Sequence, residues 1–105
     1  MKSPVGHIRK QRGWKVNPIY FDPEKESIIT WTSPPTRRFW AFIPVGKFPS
    51  PKRIALLKSR NGKTSYRMPG TGLKKGDRLY YCILLDDGKR VQLVRGGSPP
   101  VIIIK

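Results

Sequence analysis

Residues 53–68 read R-I-A-L-L-K-S-R-N-G-K-T-S-Y-R-M and contain a strong signal for local structure. Asn61-Gly62 separates two runs in which apolar and polar side chains alternate, which is a strong signal for a type I′ β-hairpin. A two-residue turn fixes the register, so Arg60 lies opposite Lys63 and the pairs that follow alternate between the two faces. The stretch therefore predicts two antiparallel strands, paired with each other along their length.

One face of this predicted hairpin is basic. The register places Lys58, Arg60, Lys63 and Arg67 on one side and most of the apolar side chains on the other. Like charges directly opposite one another destabilise a sheet, so this arrangement is unfavourable unless an anionic partner neutralises it. We therefore predict that the basic face is a binding surface for a polyanion.

A second hairpin is predicted around Asp87-Gly88, between residues 79–86 and 89–95. There Asp86 faces Lys89, an opposite-charge pair of the kind that stabilises a sheet. The apolar face of this hairpin contains Leu84 with Val91 and Cys82 with Leu93, and the opposite face is mixed. The pattern indicates a structural hairpin.

The rest of the chain indicates an all-β protein. Residues 27–32, 39–45 and 101–104 are rich in β-branched and aromatic residues, and no stretch keeps a 3.6-residue period over three turns. With 11 Pro and 10 Gly in 105 residues, many short segments joined by turns are expected. We predict a small barrel or sandwich of about six short strands with two tight hairpins, forming a single domain over residues 19–105.

Residues 1–18 predict a basic N-terminal arm. They contain no acid and little apolar material besides Trp14. Such a segment is either a solvated, disordered tail or a tail that becomes ordered on phosphates, and the two interpretations are compatible. The arm residues predicted to contact phosphates are Arg9, Lys10, Arg12 and Lys15.

The overall charge points to nucleic acid as the partner. Lys and Arg number 22 against 6 Asp and Glu, which leaves a net charge of +16. Residues 37–76 hold eleven of these cations and no acid, with aromatic residues interleaved. Cations contact phosphates, and aromatic rings stack on bases when they are not part of the core. The contacts predicted in this region are Lys58, Arg60, Lys63, Arg67, Lys74, Lys75, Arg37 and Arg38, with Trp40 as the stacking ring.

About forty residues, 57–94, show a partial family resemblance. K-S-R-N-G-K-T-S-Y-R-M-P is followed by G-L-K-K-G-D-R-L, a strand, D-D-G-K and another strand, with only Gly70 and Thr71 where a helical turn would stand. This order of features resembles the swapped-hairpin DNA-binding domains of the AbrB and MazE type. The resemblance implies an intertwined homodimer that grips duplex DNA. The residues at the matching positions are Lys58, Arg60, Lys63, Arg67, Lys74 and Lys75.

Enzymatic and membrane functions find little support in the sequence. One histidine, His7, and one cysteine, Cys82, cannot form a zinc site, and no Gly-rich phosphate loop or G-x-S-x-G motif is present. We therefore expect no enzymatic activity, no cofactor and no metal. No apolar run of about 18 residues or signal peptide is visible, so no membrane association is expected. The predicted location is the cytoplasm, at the nucleoid or the ribosome, with an organelle left open.

Several kinds of binding protein fit these observations. A DNA-binding regulator or chromatin-type architectural protein is favoured, because a two-stranded ribbon fits a DNA major groove, and it would be a homodimer. The alternative is an RNA-binding ribosomal or ribosome-associated protein, and the third is a small ribonuclease toxin. A protein that binds an acidic protein partner ranks lower, because it requires a larger exposed apolar anchor.

Overall fold

A computed structural model describes residues 4–10, 13–18, 20–21, 27–35, 37–45, 53–68, 72–94 and 100–104. These ranges contain eleven β-strands, so the predicted all-β class is confirmed and the predicted number of about six strands is too low. Nothing in the described ranges is a helix of the length and apolarity needed to cross a membrane. The strands are β1 (Val5–Lys10), β2 (Trp14–Asn17), β3 (Tyr20–Phe21), β4 (Ile28–Thr32), β5 (Arg38–Val45), β6 (Arg53–Lys58), β7 (Lys63–Arg67), β8 (Arg78–Tyr80), β9 (Cys82–Asp86), β10 (Val91–Leu93) and β11 (Val101–Ile103).

The strands form three sheets. The first sheet has the order β2-β1-β4-β7, the second β10-β9-β5-β6 and the third β3-β11-β8. Strand β1 runs parallel to β4, and β3 runs parallel to β11, whereas the other pairs are antiparallel. The pairings among the described strands do not close a barrel.

A single hydrophobic core receives side chains from all three sheets. Trp31 of β4 is fully buried at its centre, with edge-to-face ring contacts to Phe21 at 6.1 Å and to Tyr81 at 5.3 Å between centroids. Gly6 of β1 lies against these rings, since a Cβ there would be 2.8 Å from both Phe21 Cζ and Trp31 Cδ1. Because the inner faces share this core, the outer faces of the first and second sheets point away from each other.

The N-terminal residues belong to the first sheet. Strands β1 and β2 pair antiparallel with Ile8 opposite Val16, and β1 also pairs with β4. Ile8, Trp14 and Val16 are buried in the core. The expectation of an arm separate from the β domain is therefore wrong for residues 4–10 and 13–18, because three apolar side chains anchor this segment.

The predicted Asn61-Gly62 turn is confirmed. Both residues have positive φ, 53° and 77°, as a type I′ turn requires. Arg60 and Lys63 exchange backbone hydrogen bonds of 2.8 and 3.1 Å across it. The backbone carbonyl of Gly62 also accepts a hydrogen bond of 2.8 Å from Ser33 N, which ties the turn to the loop after β4.

The pairing predicted beyond this turn is wrong. Strand β6 pairs with β5 and strand β7 with β4, so the two strands belong to different sheets. Ser59 holds β6 on β5: its backbone N–H donates to Phe39 O, and its Oγ accepts from Phe39 N, both at 2.9 Å. The turn therefore joins the edges of two sheets, and Lys58 does not share a continuous hairpin face with Lys63 and Arg67.

The second hairpin is present with a different register. Asp86 lies opposite Val91 and Leu84 opposite Leu93, so the pairing is displaced by two residues from the prediction. Asp87 N donates to Arg90 O at 3.1 Å, which makes Gly88 and Lys89 the central residues of the turn. The Asp87 carboxylate accepts hydrogen bonds from the backbone N–H groups of Lys89 and Arg90, and these bonds lower its pKa.

The two faces of this hairpin are the reverse of those expected. Tyr81, Ile83 and Leu85 are buried, whereas Val91 and Leu93 are 55% and 44% exposed. Strand β9 is apolar on both faces, so alternation alone could not identify the inner one. The side chains that anchor this hairpin in the core are therefore Tyr81, Ile83 and Leu85, and not the set that contains Val91 and Leu93.

Three other predicted strands are confirmed. Residues 27–32 contain β4, residues 39–45 lie within β5, and residues 101–104 contain β11. Pro44 lies near the end of β5, beyond the residues that pair with β9, where its missing N–H costs no hydrogen bond to that strand.

Candidate nucleic-acid interface

The outer face of the first sheet is strongly basic. Along its strands the buried side chains of Ile8, Val16, Ile29 and Trp31 point into the core, so the residues between them point outward. The outward cations of these strands and of the adjoining turn are Arg9, Lys15, Arg60, Lys63 and Arg67, which we call the cationic face.

Two like-charge pairs lie at one end of the cationic face. Arg9 is directly opposite Lys15 across β1 and β2, and Arg60 is directly opposite Lys63 across the turn. The two pairs lie at the same end of the sheet. His7 and Lys63 both lie beside Thr32, the last residue of β4, and Arg9 lies two residues beyond His7 on β1, which runs parallel to β4. Strands β1, β2, β4 and β7 contain no Asp or Glu, so no carboxylate of these strands offsets the repulsion.

Polar side chains fill the middle of the cationic face. His7 Nδ1 and Thr32 Oγ1 are hydrogen-bonded at 3.0 Å, and Thr30 Oγ1 and Ser65 Oγ are hydrogen-bonded at 2.9 Å. Hydroxyl groups are frequent phosphate contacts beside Lys and Arg. These residues are not among the predicted contacts, although the alternation of threonine with Ile29 and Trp31 in β4 is a sequence signal for them.

The spacing of the cations suits a duplex. Neighbouring strands lie about 4.8 Å apart, so β7 is about 10 Å from β1 and about 14 Å from β2. This separation is comparable to the width of the DNA major groove, about 12 Å. Lys63 and Arg67 are four residues apart on β7, which is about 13 Å along the strand. The cationic face can therefore reach phosphates on both sides of a groove.

Three predicted contact residues lie on the outer face of the second sheet instead. Lys58 is exposed on β6 and lies opposite Trp40, which is half-buried on β5. Arg38 is exposed and forms an ion pair with Asp86 at 3.4 Å. The structure thus brings Trp40 beside a cation, but not beside the cationic face.

The other predicted residues are dispersed. Lys74 and Lys75 are exposed in the turn before β8, where Lys74 N donates to Asp77 Oδ2 at 2.8 Å. Arg37 lies against the second hairpin, because a Cβ at Gly88 would be 2.8 Å from its Nη1. Lys10 is exposed at the end of β1. Arg12 lies outside the described residues.

No metal site is found in the part of the chain that the structure describes, since no three His, Cys, Asp or Glu side chains come together there. Comparison of the chain with known protein families, with curated proteins and with solved structures found no match. The resemblance to AbrB- and MazE-type domains, and the homodimer that it implies, therefore stay predictions. The case for a function rests on the residues of the face itself.

Proposed function

We propose that this protein binds duplex nucleic acid through the cationic face, by contacting phosphates. The observation that carries the proposal is the pair of like-charge contacts, Arg9 with Lys15 and Arg60 with Lys63, at one end of a sheet whose strands contain no carboxylate. Like charges directly opposite one another destabilise a sheet. Phosphates placed over both pairs would remove that repulsion, and the release of counterions would add to the affinity.

Phosphates are a better target for this face than unpaired bases. Single-stranded nucleic acid is usually held by aromatic rings on which bases stack. In the described strands of the first sheet, Trp14 and Trp31 point into the core, and the outward positions hold no aromatic ring; besides the cations, hydroxyl groups and His7 they hold Asn17 and the aliphatic Val5 and Ile28. This supports recognition of the backbone, of the kind that an architectural DNA-binding protein uses.

The divergence of β6 and β7 changes the argument for DNA. The sequence favours DNA over RNA because a two-stranded ribbon fits a DNA major groove. Strands β6 and β7 do not form such a ribbon, so this reason has no structural basis. A basic sheet face can contact the backbone of a DNA duplex or of an RNA duplex, since both present regularly spaced phosphates. We keep duplex DNA as the proposed target, because the distance of about 10 to 14 Å from β7 to β1 and β2 is comparable to the width of the DNA major groove, about 12 Å. The RNA-binding assembly protein is the competing interpretation that the experiment must separate.

The first test is a competition titration. Duplex DNA, duplex RNA and single-stranded DNA of equal length compete for the protein across a salt series. Tight binding of duplex DNA whose affinity falls steeply with salt would support the proposal, because each phosphate contact contributes a slope of about −0.9 in log K against log salt. Preference for duplex RNA would favour the RNA-binding interpretation, and preference for single strands or absence of binding would contradict the proposal.

Two matched variants then test the face itself. The face variant carries Arg9→Ala, Lys63→Ala and Arg67→Ala, and the control carries Arg78→Ala, Lys89→Ala and Arg90→Ala. Each variant loses two arginines and one lysine at exposed positions, so the change in net charge is identical. The face variant should reduce the salt slope by about 2.7, while the control should nearly keep it. Equal losses in the two variants would show that net charge alone drives binding.

A further inference from the structure

The outer face of the second sheet is apolar and exposed. Ile54 and Leu56 on β6 are 63% and 52% exposed, and Val91 and Leu93 on β10 are similarly exposed. Between these two edge strands lie the half-buried side chains of Phe42 on β5 and Leu84 on β9. These six residues form what we call the apolar face.

The registers show that the apolar face is contiguous. Phe42 lies directly opposite Leu56, and Leu84 lies directly opposite Leu93, with Trp40 next to Leu84 on the other side. Single exposed apolar side chains are common on proteins, but adjoining ones across four strands mark an interaction surface. An exposed apolar anchor is what a protein-binding role requires, and the described residues of this face supply it.

The charges around the apolar face favour an acidic partner. Asp86, on this face, is engaged by Arg38, and its Oδ1 accepts a hydrogen bond from Gly88 N at 2.9 Å. Lys58 projects from the same face and makes no ion pair within the described residues. The chain as a whole carries +16, which opposes the approach of a second copy. A complementary partner therefore combines apolar side chains with carboxylates.

The dimensions of the apolar face suit a helix. Its two exposed edge strands, β6 and β10, are separated by two strands and so lie about 14 Å apart. An α-helix is about 10 Å across, and packing a helix on the apolar face of a sheet is one of the common layer arrangements of proteins. A second copy has no helix to offer among its described residues.

We propose that the apolar face binds an acidic amphipathic helix of another protein, with its apolar stripe between β6 and β10 and its carboxylates near Lys58. The shared core separates this face from the cationic face, so a helix and a nucleic acid would be bound at the same time. The protein would then link a nucleic acid to an acidic protein, two partners that repel each other.

The probe is a designed peptide of about five helical turns with leucine at positions i, i+3, i+4 and i+7 and glutamate elsewhere. Its controls are the same peptide with lysine in place of glutamate and a scrambled peptide without the stripe. Fluorescence anisotropy of the labelled peptides should show that the full-length chain binds the glutamate peptide at least about tenfold more tightly than either control. Equal binding of the glutamate and lysine peptides, or no binding, would overturn the proposal.

The surface is tested by Leu56→Ser combined with Leu93→Ser, which changes only exposed positions. This variant should weaken binding of the glutamate peptide at least about tenfold and leave duplex affinity unchanged. The control, Val5→Ser, removes an exposed apolar side chain of the first sheet and should not affect peptide binding. Sedimentation of the unmodified chain and of the Leu56→Ser variant tests whether a second copy covers the face. A dimer that dissociates on Leu56→Ser would assign the face to a second copy and refute a helical partner.

Discussion

The indole Nε1 of Trp31 donates a hydrogen bond of 3.1 Å to the hydroxyl oxygen of Tyr81, and both groups are buried. Trp31 belongs to the first sheet, whereas Tyr81 connects β8 of the third sheet to β9 of the second. This contact therefore ties all three sheets together through one polar pair. Burial raises the pKa of Tyr81, because the phenolate would be poorly solvated in the core.

The raised pKa of Tyr81 predicts a loss of stability at alkaline pH. In the folded chain the hydroxyl stays neutral, while in the unfolded chain it ionises with a pKa of about 10. The unfolded state thus loses its proton first, so the contribution of Tyr81 is complete below pH 10 and declines as pH rises above it. Urea unfolding between pH 8 and 11 would measure this decline.

The Tyr81→Phe variant provides the control. At pH 7 it should lower the free energy of unfolding by about 1–3 kcal/mol, because Trp31 Nε1 is left buried without an acceptor. Between pH 9 and 11 it should lose less stability than the unmodified chain, since the group that titrates is gone. Parallel pH curves for the two proteins would show that Tyr81 does not cause the alkaline loss.

Lys15→Glu is expected to stabilise the fold and to weaken nucleic-acid binding. The substitution replaces a like-charge pair with Arg9 by an opposite-charge pair, and such cross-strand pairs are worth about 0.2–1 kcal/mol. Thermal unfolding and the salt slope of duplex binding are the two measurements. Lys10→Glu, opposite the uncharged Trp14, is the matched control and should not bring the same gain in stability. If the Lys15→Glu variant bound duplex as tightly as the unmodified chain, Lys15 would not be part of the interface.

Gly62→Ala should destabilise the protein more than Gly72→Ala. Both glycines have similar positive φ, 77° and 86°, a conformation that costs other residues about 1–2 kcal/mol. A Cβ at Gly62 would also lie 2.7 Å from the backbone oxygen of Ser33, whereas nothing lies within 4 Å of one at Gly72. Denaturant midpoints of the two variants measure the difference, and equal midpoints would show that the loop after β4 moves freely.

Duplex binding is expected to be nearly independent of base sequence. The cationic face offers contacts to phosphates, and such contacts position a protein without reading bases. Duplexes of equal length and unrelated sequence should therefore bind with affinities within about threefold, or less than about 1 kcal/mol. A single sequence preferred by about a hundredfold or more would mean that side chains read base edges, as at a specific site.

Local features of the fold were predictable from the sequence, and the pairing of distant strands was not. Asn61-Gly62 correctly predicts the turn, and the alternation from Ile54 to Arg67 correctly separates exposed from inward positions on each strand. A two-residue turn, however, fixes only the pair that closes it. Beyond Arg60 and Lys63, strands β6 and β7 can pair with each other or with other strands. In this fold β6 pairs with β5, where Leu56 lies opposite Phe42, and β7 pairs with β4.

The sequence predicts the basic character of the candidate site, but only some of the residues that form it. The basic composition around Arg9 and Lys15 predicts an arm, whereas both residues lie on strands of the first sheet. The alternation of Ile8, Trp14 and Val16 with polar residues was the signal for strands. The predicted pairing of β6 with β7 places Lys58 beside Lys63, and that pairing does not form. Which cations share a face depends on sheet order, and sheet order is a property of the whole fold.

The short connection from Ser59 to Gly62 also limits how the length of this chain can change. Side chains alternate along both β6 and β7, so deleting or inserting one residue between them would turn every side chain of one strand to its opposite face. Either Leu56 would exchange places with Leu57, or Tyr66 and Met68 would be expelled from the interior while Arg67 entered it. Related sequences should therefore vary here by substitution and keep the same number of residues, even where loops elsewhere grow or shrink.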